Sequence, residues 1–283
     1  MQDLSNFLGL GIAGNFALHL DQAGEAEDFK DIITEDEAAP KGIFPFYLPY
    51  EKKDNATRPR AVLFEYPLSS DTISLPKEPV NVQAEPEVAL LCDIAYNTEG
   101  NVERITPKEF AAYNDCSIRE AGREKISDKK NWGANSKGIA STLLKIDNFS
   151  SGSVMESYAI CSFLKRDSKL EAYGEDVELT GYSYFYEKLL SWITNQINTQ
   201  KDFGPLEDIK SYIAMCNYPK KLIISIGATR YSEYGECTYL KSGDEVFVVL
   251  YNRNEHSLND VKEMLKNPST TSKSMSILAQ KVI

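Results

Sequence analysis

Carboxylates, cations and a single histidine are concentrated in a few short segments of this chain. Val82-Gln83-Ala84-Glu85-Pro86-Glu87-Val88-Ala89-Leu90 places two glutamates two residues apart in an apolar run. On a strand such a pair shares one face, its members roughly 7 Å apart along the backbone. Asn114-Asp115-Cys116-Ser117-Ile118-Arg119 adds a third carboxylate and a guanidinium, and Trp132-Gly133-Ala134-Asn135-Ser136-Lys137-Gly138 adds an ammonium. Three acidic oxygens without a dense set of histidines or cysteines suit a hard cation, Mg²⁺ or Mn²⁺. Only two histidines are present, His19 and His256, so a three-histidine zinc site is excluded. Val82, Val88, Leu90 and Leu91 predict that the glutamate strand is at least partly buried, and buried carboxylates need a partner or a metal. Pro86 removes a ladder donor, which puts that point at an edge or bulge. Each residue also has a plainer reading: a solvated strand face for the glutamates, a turn for Asn114-Asp115, an ion pair for Arg119, a surface position for Lys137 and a packed helix face for His19.

Positioning these groups takes mostly strands. Residues 5–12 read as a short apolar strand, followed by a helix that sets His19 and Gln22 one turn apart on one face. Residues 21–41 are acidic, end in Pro40 and Gly42, and read as a surface loop or mobile lid. Phe44–Tyr50 is aromatic and extended, and Lys52–Pro59 is polar punctuation. Val62–Tyr66 and Val80–Ile94 read as strands separated by the turn-rich Ser69–Pro79. Thr106-Pro107-Lys108-Glu109 has the form of a helix start, with a capping threonine, proline at the first helical position and a glutamate closing the capping box. Residues 120–136 are charged and aperiodic, which predicts a loop folded over the site. Ser157–Leu164, Glu171–Leu179, Leu222–Ile226 and Val246–Tyr251 are further strands. Apolar residues at Tyr182, Phe185, Tyr186, Leu189, Leu190, Ile193 and Ile197 predict the longest helix over 182–200, and Pro205–Cys216 gives another. The mixture is a β-rich α+β chain.

In order and spacing these segments resemble the fumarylacetoacetate hydrolase family. There a Glu-x-Glu strand, a later Asn-Asp-x-Ser/Thr-x-Arg motif and a downstream lysine build a divalent-metal site for keto acids. Gly11–Gln22 is similar to the family's Gly-x-Asn-Tyr-x-x-His-x-x-Glu segment. Leu222–Thr229 and Tyr239–Val246 resemble its glycine-threonine loop and its Leu-x-x-Gly-Asp-x-Val segment. The resemblance implies a mixed β-roll or β-sandwich with peripheral helices, an N-terminal segment with a lid over residues 1–60 and a catalytic domain over 61–283, together one compact unit. It implies Mg²⁺ or Mn²⁺ on Glu85, Glu87 and Asp115, and a water-activating His19 oriented by Asp21 or Gln22. Lys137 is the implied polarising cation, and Arg119, Ser136, Gly227 and Thr229 the substrate-binding groups. The implied reaction is hydrolysis of a C–C bond in a small anionic 2-keto or β-diketo acid. Decarboxylation, hydration or tautomerisation on the same site is the alternative, and a non-catalytic metal- or metabolite-binding protein is a third. The family commonly forms homodimers. This sequence departs from the family pattern at Gln22, where a glutamate is usual, after Lys137, where Gly138-Ile139-Ala140-Ser141 stands, and at Gly227-Ala228-Thr229.

Composition agrees. A chain of 283 residues, 42% hydrophobic, can bury one large core or a core plus a small lobe. A net charge of −11 disfavours nucleic acid or anionic membrane as a partner. It also opposes an anionic substrate unless a bound cation reverses the local potential. Five cysteines, Cys92, Cys116, Cys161, Cys216 and Cys237, form no CxxC pair and predict a reduced, cytoplasmic setting. The apolar stretch Phe7–Leu18 lacks a basic leader, so no signal peptide is expected, and no run of 18 apolar residues predicts a membrane span. Gly9-Leu10-Gly11-Ile12-Ala13-Gly14 does fit G-x-G-x-x-G, but no alternating βαβ pattern follows. The best acidic partner falls in the loop Glu35-Asp36-Glu37, which disfavours a dinucleotide fold.

Overall fold

Alternation along one strand shows how the chain divides its interior. In the strand Pro86–Tyr96, Val88, Leu90 and Cys92 enter one hydrophobic core while Ala89 and Leu91 enter another. A strand buried on both faces must sit inside a covered sheet. The computed structural model describes residues 2–34, 36–50, 59–120, 122–266 and 272–283. Its larger sheet runs in the order β2 (Gly42–Tyr47), β1 (Leu8–Ala13), β13 (Lys221–Ser225), β6 (Pro86–Tyr96), β7 (Val102–Asn114), β9 (Lys137–Ile139) and β3 (Leu68–Ser69), with β10 (Leu144–Lys145) also on β7. The pairs β1–β13 and β3–β9 are parallel and the others antiparallel.

The second sheet runs β12 (Lys169–Glu178), β11 (Tyr158–Arg166), β14 (Glu245–Asn252), β15 (Met275–Val282) and β4 (Thr72–Ile73). The largest core lies between the sheets, where Val88, Leu90 and Phe110 meet Ile160, Val248, Leu250 and Leu278. Helix α3 (Tyr186–Thr199) adds Leu189, Ile193 and Ile197 to that core from one stripe, and α4 (Ile209–Met215) adds Ile209 and Ile213. A small ladder, β5 (Val82–Gln83) with β8 (Ser117–Ile118), stands beside the ends of β6 and β7. The strands β1 and β2 of the N-terminal segment are thus part of the main sheet. The β-rich mixed architecture expected of the sequence is the one observed.

Local expectations fail where tertiary burial outweighs local signals. The predicted helix start at Thr106 lies inside β7, whose Val102, Ile105, Phe110 and Ala112 are all core residues. Pro107 is accommodated at a bulge: Leu91 pairs with Glu109 and Cys92 with Pro107, leaving Lys108 extra on β7. Val62–Tyr66 is no strand; Ala61–Phe64 forms a 3₁₀ turn that buries Leu63. The strand expected over 80–94 is broken at Ala84-Glu85 into β5 and β6. The helix after β1 shrinks to the four residues of α1 (His19–Gln22), and the loop 120–136 contains a short helix, α2 (Ser127–Lys130). Strand β15 and helix α5 (Leu258–Lys266) went unread in the sequence. Of the polar stretch Lys52–Pro59, residues 52–58 lie outside the described residues.

Candidate functional site

The site is built where β5 passes into β6 and β7 into β8. Pro86 pairs with Asn114 at the ends of β6 and β7, and the Asp115 N–H donates to the Glu85 carbonyl at 2.9 Å. The Asn114 side chain closes the junction by accepting the Glu85 N–H at 3.1 Å. These bonds place Glu85 and Asp115 side by side, and Glu87 follows Glu85 with the two-residue period of a strand. Carboxylate oxygens of Glu85, Glu87 and Asp115 all lie within 4.8 Å of one another, and all three residues are buried. The three metal ligands expected from the sequence therefore meet.

Cations surround them. Lys137 Nζ donates to Asp115 Oδ1 at 2.6 Å, both side chains fully buried. Lys130, at the end of α2, donates to Glu85 Oε2 at 2.5 Å and stands 2.8 Å from Asp115 Oδ2. That second contact makes no directed hydrogen bond, so Asp115 Oδ2 stays unpartnered in hydrogen-bond terms. Arg119 donates to Glu85 Oε1 at 2.6 Å, Glu25 Oε1 at 2.7 Å, Gln83 Oε1 at 2.8 Å and the Tyr231 hydroxyl at 2.9 Å. Burial pushes the Glu85 pKa up, but Lys130, Arg119 and His19 together pull it below the usual carboxylate range. Glu87 is treated differently. It has no ion pair among the described residues and accepts the Gly227 N–H at 3.1 Å. Burial, then the charges of Asp115 and Glu85, raise its pKa well above the usual value.

His19 borders the same cavity, together with Ile12, Gly14, Glu85, Glu87 and Lys130. Burial, only partly offset by Glu85, lowers its pKa to about 4, so the ring is neutral at pH 7. Its Nδ1 has no hydrogen-bond partner. Gln22 does not orient the ring: its side chain accepts the Tyr231 N–H at 2.9 Å and donates to the Tyr231 carbonyl at 3.3 Å. Asp21 is exposed. Gly227 reaches the site through its N–H, with a positive φ of 107° that suits glycine. Thr229 binds the Pro86 carbonyl through its N–H at 3.1 Å and its hydroxyl at 3.4 Å. Ser136 is buried in the turn before Lys137, its hydroxyl 3.4 Å from Asn131 Oδ1.

Two participants were not singled out in the sequence, Lys130 and Glu25. Each lies in a charged run that resembles a solvated loop. Glu25 is buried, and with Asp28 it ties the segment after α1 to Arg119 and Lys129. The adjoining Phe29 packs with Ala13, Phe44, Ile126 and Leu206. This segment covers the carboxylates so closely that the cavity beside them measures only about 10 Å³, enough for about one water molecule.

The donor set tests the metal that such a fold implies. It is all hard oxygen, its three groups converge within 4.8 Å, and Glu87 makes no ion pair among the described residues. His19, whose Nδ1 has no hydrogen-bond partner, lines the same cavity. These residues fit a divalent cation.

Solved structures share this architecture. A Mycobacterium smegmatis protein assigned the name HpcE superposes with a TM-score of 0.56 at 11% identity, covering 99% of this chain and 76% of its own. Cg1458, solved with an inhibitor, gives 0.54 at 15% identity over 98% of this chain and 76% of its own. A Yersinia pestis CO92 protein assigned to the fumarylacetoacetate hydrolase family gives 0.52 at 14% identity over 97% and 92%. The fold is accordingly that of the fumarylacetoacetate hydrolases, in a divergent form. No curated protein matches the sequence. A family model matches residues 25–282, most of the chain, and the chain belongs to that family, a family of unknown function (DUF5718).

Proposed function

We propose that this chain is a divalent-cation-dependent enzyme acting on a 2-keto or β-diketo acid, with hydrolysis of a C–C bond as its reaction. The observation that carries the reading is the convergence of Glu85, Glu87 and Asp115, buried, within 4.8 Å. These three residues would hold Mg²⁺ or Mn²⁺, which supplies Lewis-acid polarisation of a carboxylate and its adjacent keto oxygen. Lys137 contributes a fixed positive charge beside Asp115, where oxyanion character develops in the substrate. Arg119 is engaged by Glu25 in the closed chain, and release of Glu25 frees its Nη1 for an anionic group. His19, neutral and with Nδ1 open, accepts a proton from water as the hydroxyl adds to the carbonyl carbon. The C–C bond then breaks with its electron pair on the keto-acid fragment, which takes up the proton that His19 accepted. The cavity of about 10 Å³ requires the segment 19–29 to open before substrate enters.

One observation favours a second reading. His19 lacks the orienting carboxylate of an acid–base pair, since Asp21 is exposed and Gln22 is spent on the Tyr231 backbone. Decarboxylation of a 2-keto acid such as oxaloacetate involves no attacking water and needs less of such a base. A panel of keto acids with Mg²⁺ or Mn²⁺ separates the readings. Pyruvate from an acylpyruvate supports hydrolysis, CO₂ from oxaloacetate supports decarboxylation, and tight binding without turnover supports a non-catalytic protein. We also propose a cytoplasmic homodimer. Free cysteines at all five positions accord with a reducing compartment, and light scattering at micromolar concentration tests the dimer.

A further inference from the structure

Lys130 belongs to none of the motifs that carry the family resemblance, yet its ammonium sits among the site's carboxylates. It contacts Glu85 Oε2 at 2.5 Å and Asp115 Oδ2 at 2.8 Å, so it bridges two of the three converging acids. Its placement is deliberate in physical terms. Residues 127–131 are buried although polar or charged, and the Lys130 side chain is only 4% exposed. The Nζ also lies 5.3 Å from the centroid of the Phe44 ring, a cation–π contact. Toward Asp115 it makes no directed hydrogen bond, so there it acts as a point charge rather than as a geometric partner. An ammonium in contact with oxygens of two acids takes the place that a metal ion bridging those acids needs. The residual cavity of about 10 Å³ offers no room beside it for a hydrated ion.

We propose that Lys130 is a tethered cation standing in the metal position, which neutralises Glu85 and Asp115 until a divalent ion displaces it. The proposal rests on the reading of the three carboxylates as a cation site. Glu87 lies outside the contacts of the ammonium, so a metal meets no tethered cation at that ligand. The chain therefore folds without metal and holds metal weakly.

Calorimetry with Mn²⁺ and Mg²⁺ on the full chain and on Lys130→Met tests this. Removal of the ammonium is expected to tighten Mn²⁺ binding at least 10-fold, and thermal unfolding of the variant alone is expected to respond strongly to EDTA. Because the variant leaves two buried carboxylates less compensated and can fail to fold without metal, a second measurement uses the wild type. Acylation of Lys130 by an amine-reactive reagent, read by mass spectrometry, should rise when Mn²⁺ is added. Tight Mn²⁺ binding by the wild type that Lys130→Met leaves unchanged or weakens overturns the proposal while sparing the metal site. So does Mn²⁺ binding with unchanged Lys130 acylation. Absence of binding in both proteins overturns the metal site and the proposal together.

Discussion

Glu25→Gln isolates the contact that closes the site. Glu25 Oε1 accepts from Arg119 Nη1 at 2.7 Å and stands 3.7 Å from Lys129 Nζ. Glutamine keeps an acceptor for Arg119 but removes the charge. The bond from the Arg119 guanidinium stays charge-assisted with glutamine as acceptor, so the short contact moves from the top toward the bottom of the ~1.5–3 kcal/mol range for bonds to charged groups and loses about 1–1.5 kcal/mol. The longer, partly solvated pair with Lys129 adds about 0.5 kcal/mol. Arg119 keeps Glu85, at 2.6 Å, so the larger cost of orphaning a buried charge does not arise. The total of about 1.5–2 kcal/mol corresponds to a rise of about 10- to 30-fold in the open population of the segment. Hydrogen exchange read by mass spectrometry measures it directly, because local opening governs exchange in that segment. Peptides covering residues 16–30 should exchange faster by that factor, while those in β6 and β7 stay protected. Unchanged exchange over 16–30 would show that Phe29 and its apolar neighbours hold the segment without the ion pair. An equal acceleration in β6 would show that Glu25 supports the core rather than a lid.

Three further outcomes follow from the site. His19, with a folded pKa of about 4 against 6.5 unfolded, binds its proton less readily in the folded chain. Its contribution to stability is thus complete above pH 6.5 and lost as the pH falls toward 4, about 2 kcal/mol between pH 7 and pH 5. Urea denaturation at the two pH values should show that loss, and His19→Gln should abolish it; a slope that persists in the variant assigns the effect elsewhere. Lys137→Met removes a hydrogen-bonded ammonium from a fully buried pair with Asp115, which keeps Lys130 at 2.8 Å, and should cost about 1.5–3 kcal/mol in denaturant midpoint experiments, a loss below 1 contradicting the burial argument. Glu87→Ala should eliminate Mn²⁺ binding both in the wild type and in Lys130→Met, and calorimetry that finds the affinity unchanged moves the metal site away from this strand.

How far the sequence could be read depended on whether a local pattern and the final environment agreed. Helix α3 was legible because Leu189, Ile193 and Ile197 repeat at helical spacing and all are buried. The strands β11, β13 and β14 were legible from dense apolar residues. Thr106-Pro107-Lys108-Glu109 misled because a capping signature contributes only about 1 kcal/mol, whereas the strand it sits in buries Val102, Ile105, Phe110 and Ala112. The three carboxylates were legible because strand geometry and a short connection fix them close to one another. Lys130 and Glu25 were not, because burial of a charge depends on partners far along the chain. Glu25 meets Arg119 across 94 residues and Lys130 meets Glu85 across 45. Local composition in Asp128-Lys129-Lys130 is that of a solvated loop, and only the fold reveals otherwise.

The glycine pattern near the N-terminus shows how a motif can be present for a reason unrelated to its usual one. Gly9 and Gly11 lie on β1 opposite β2, and a Cβ would fall 2.4 Å from Phe46 Cε2 at the first and 2.3 Å from Phe44 Cζ at the second. Their bare backbone lets both rings lie flat on the sheet. Those rings in turn face the two lysines of the site, Lys130 at 5.3 Å from Phe44 and Lys137 at 5.8 Å from Phe46. A cation over an aromatic face gains attraction that grows as water is excluded, and here both ammonium groups are withdrawn from solvent. The glycines therefore act at a distance on the carboxylates. They admit the aromatic floor, the floor supports the ammonium groups, and these form the buried ion pairs with Glu85 and Asp115. Chemistry that a dinucleotide-binding chain places directly on its glycine loop is here displaced two layers away, onto a cluster that no single segment of the sequence contains.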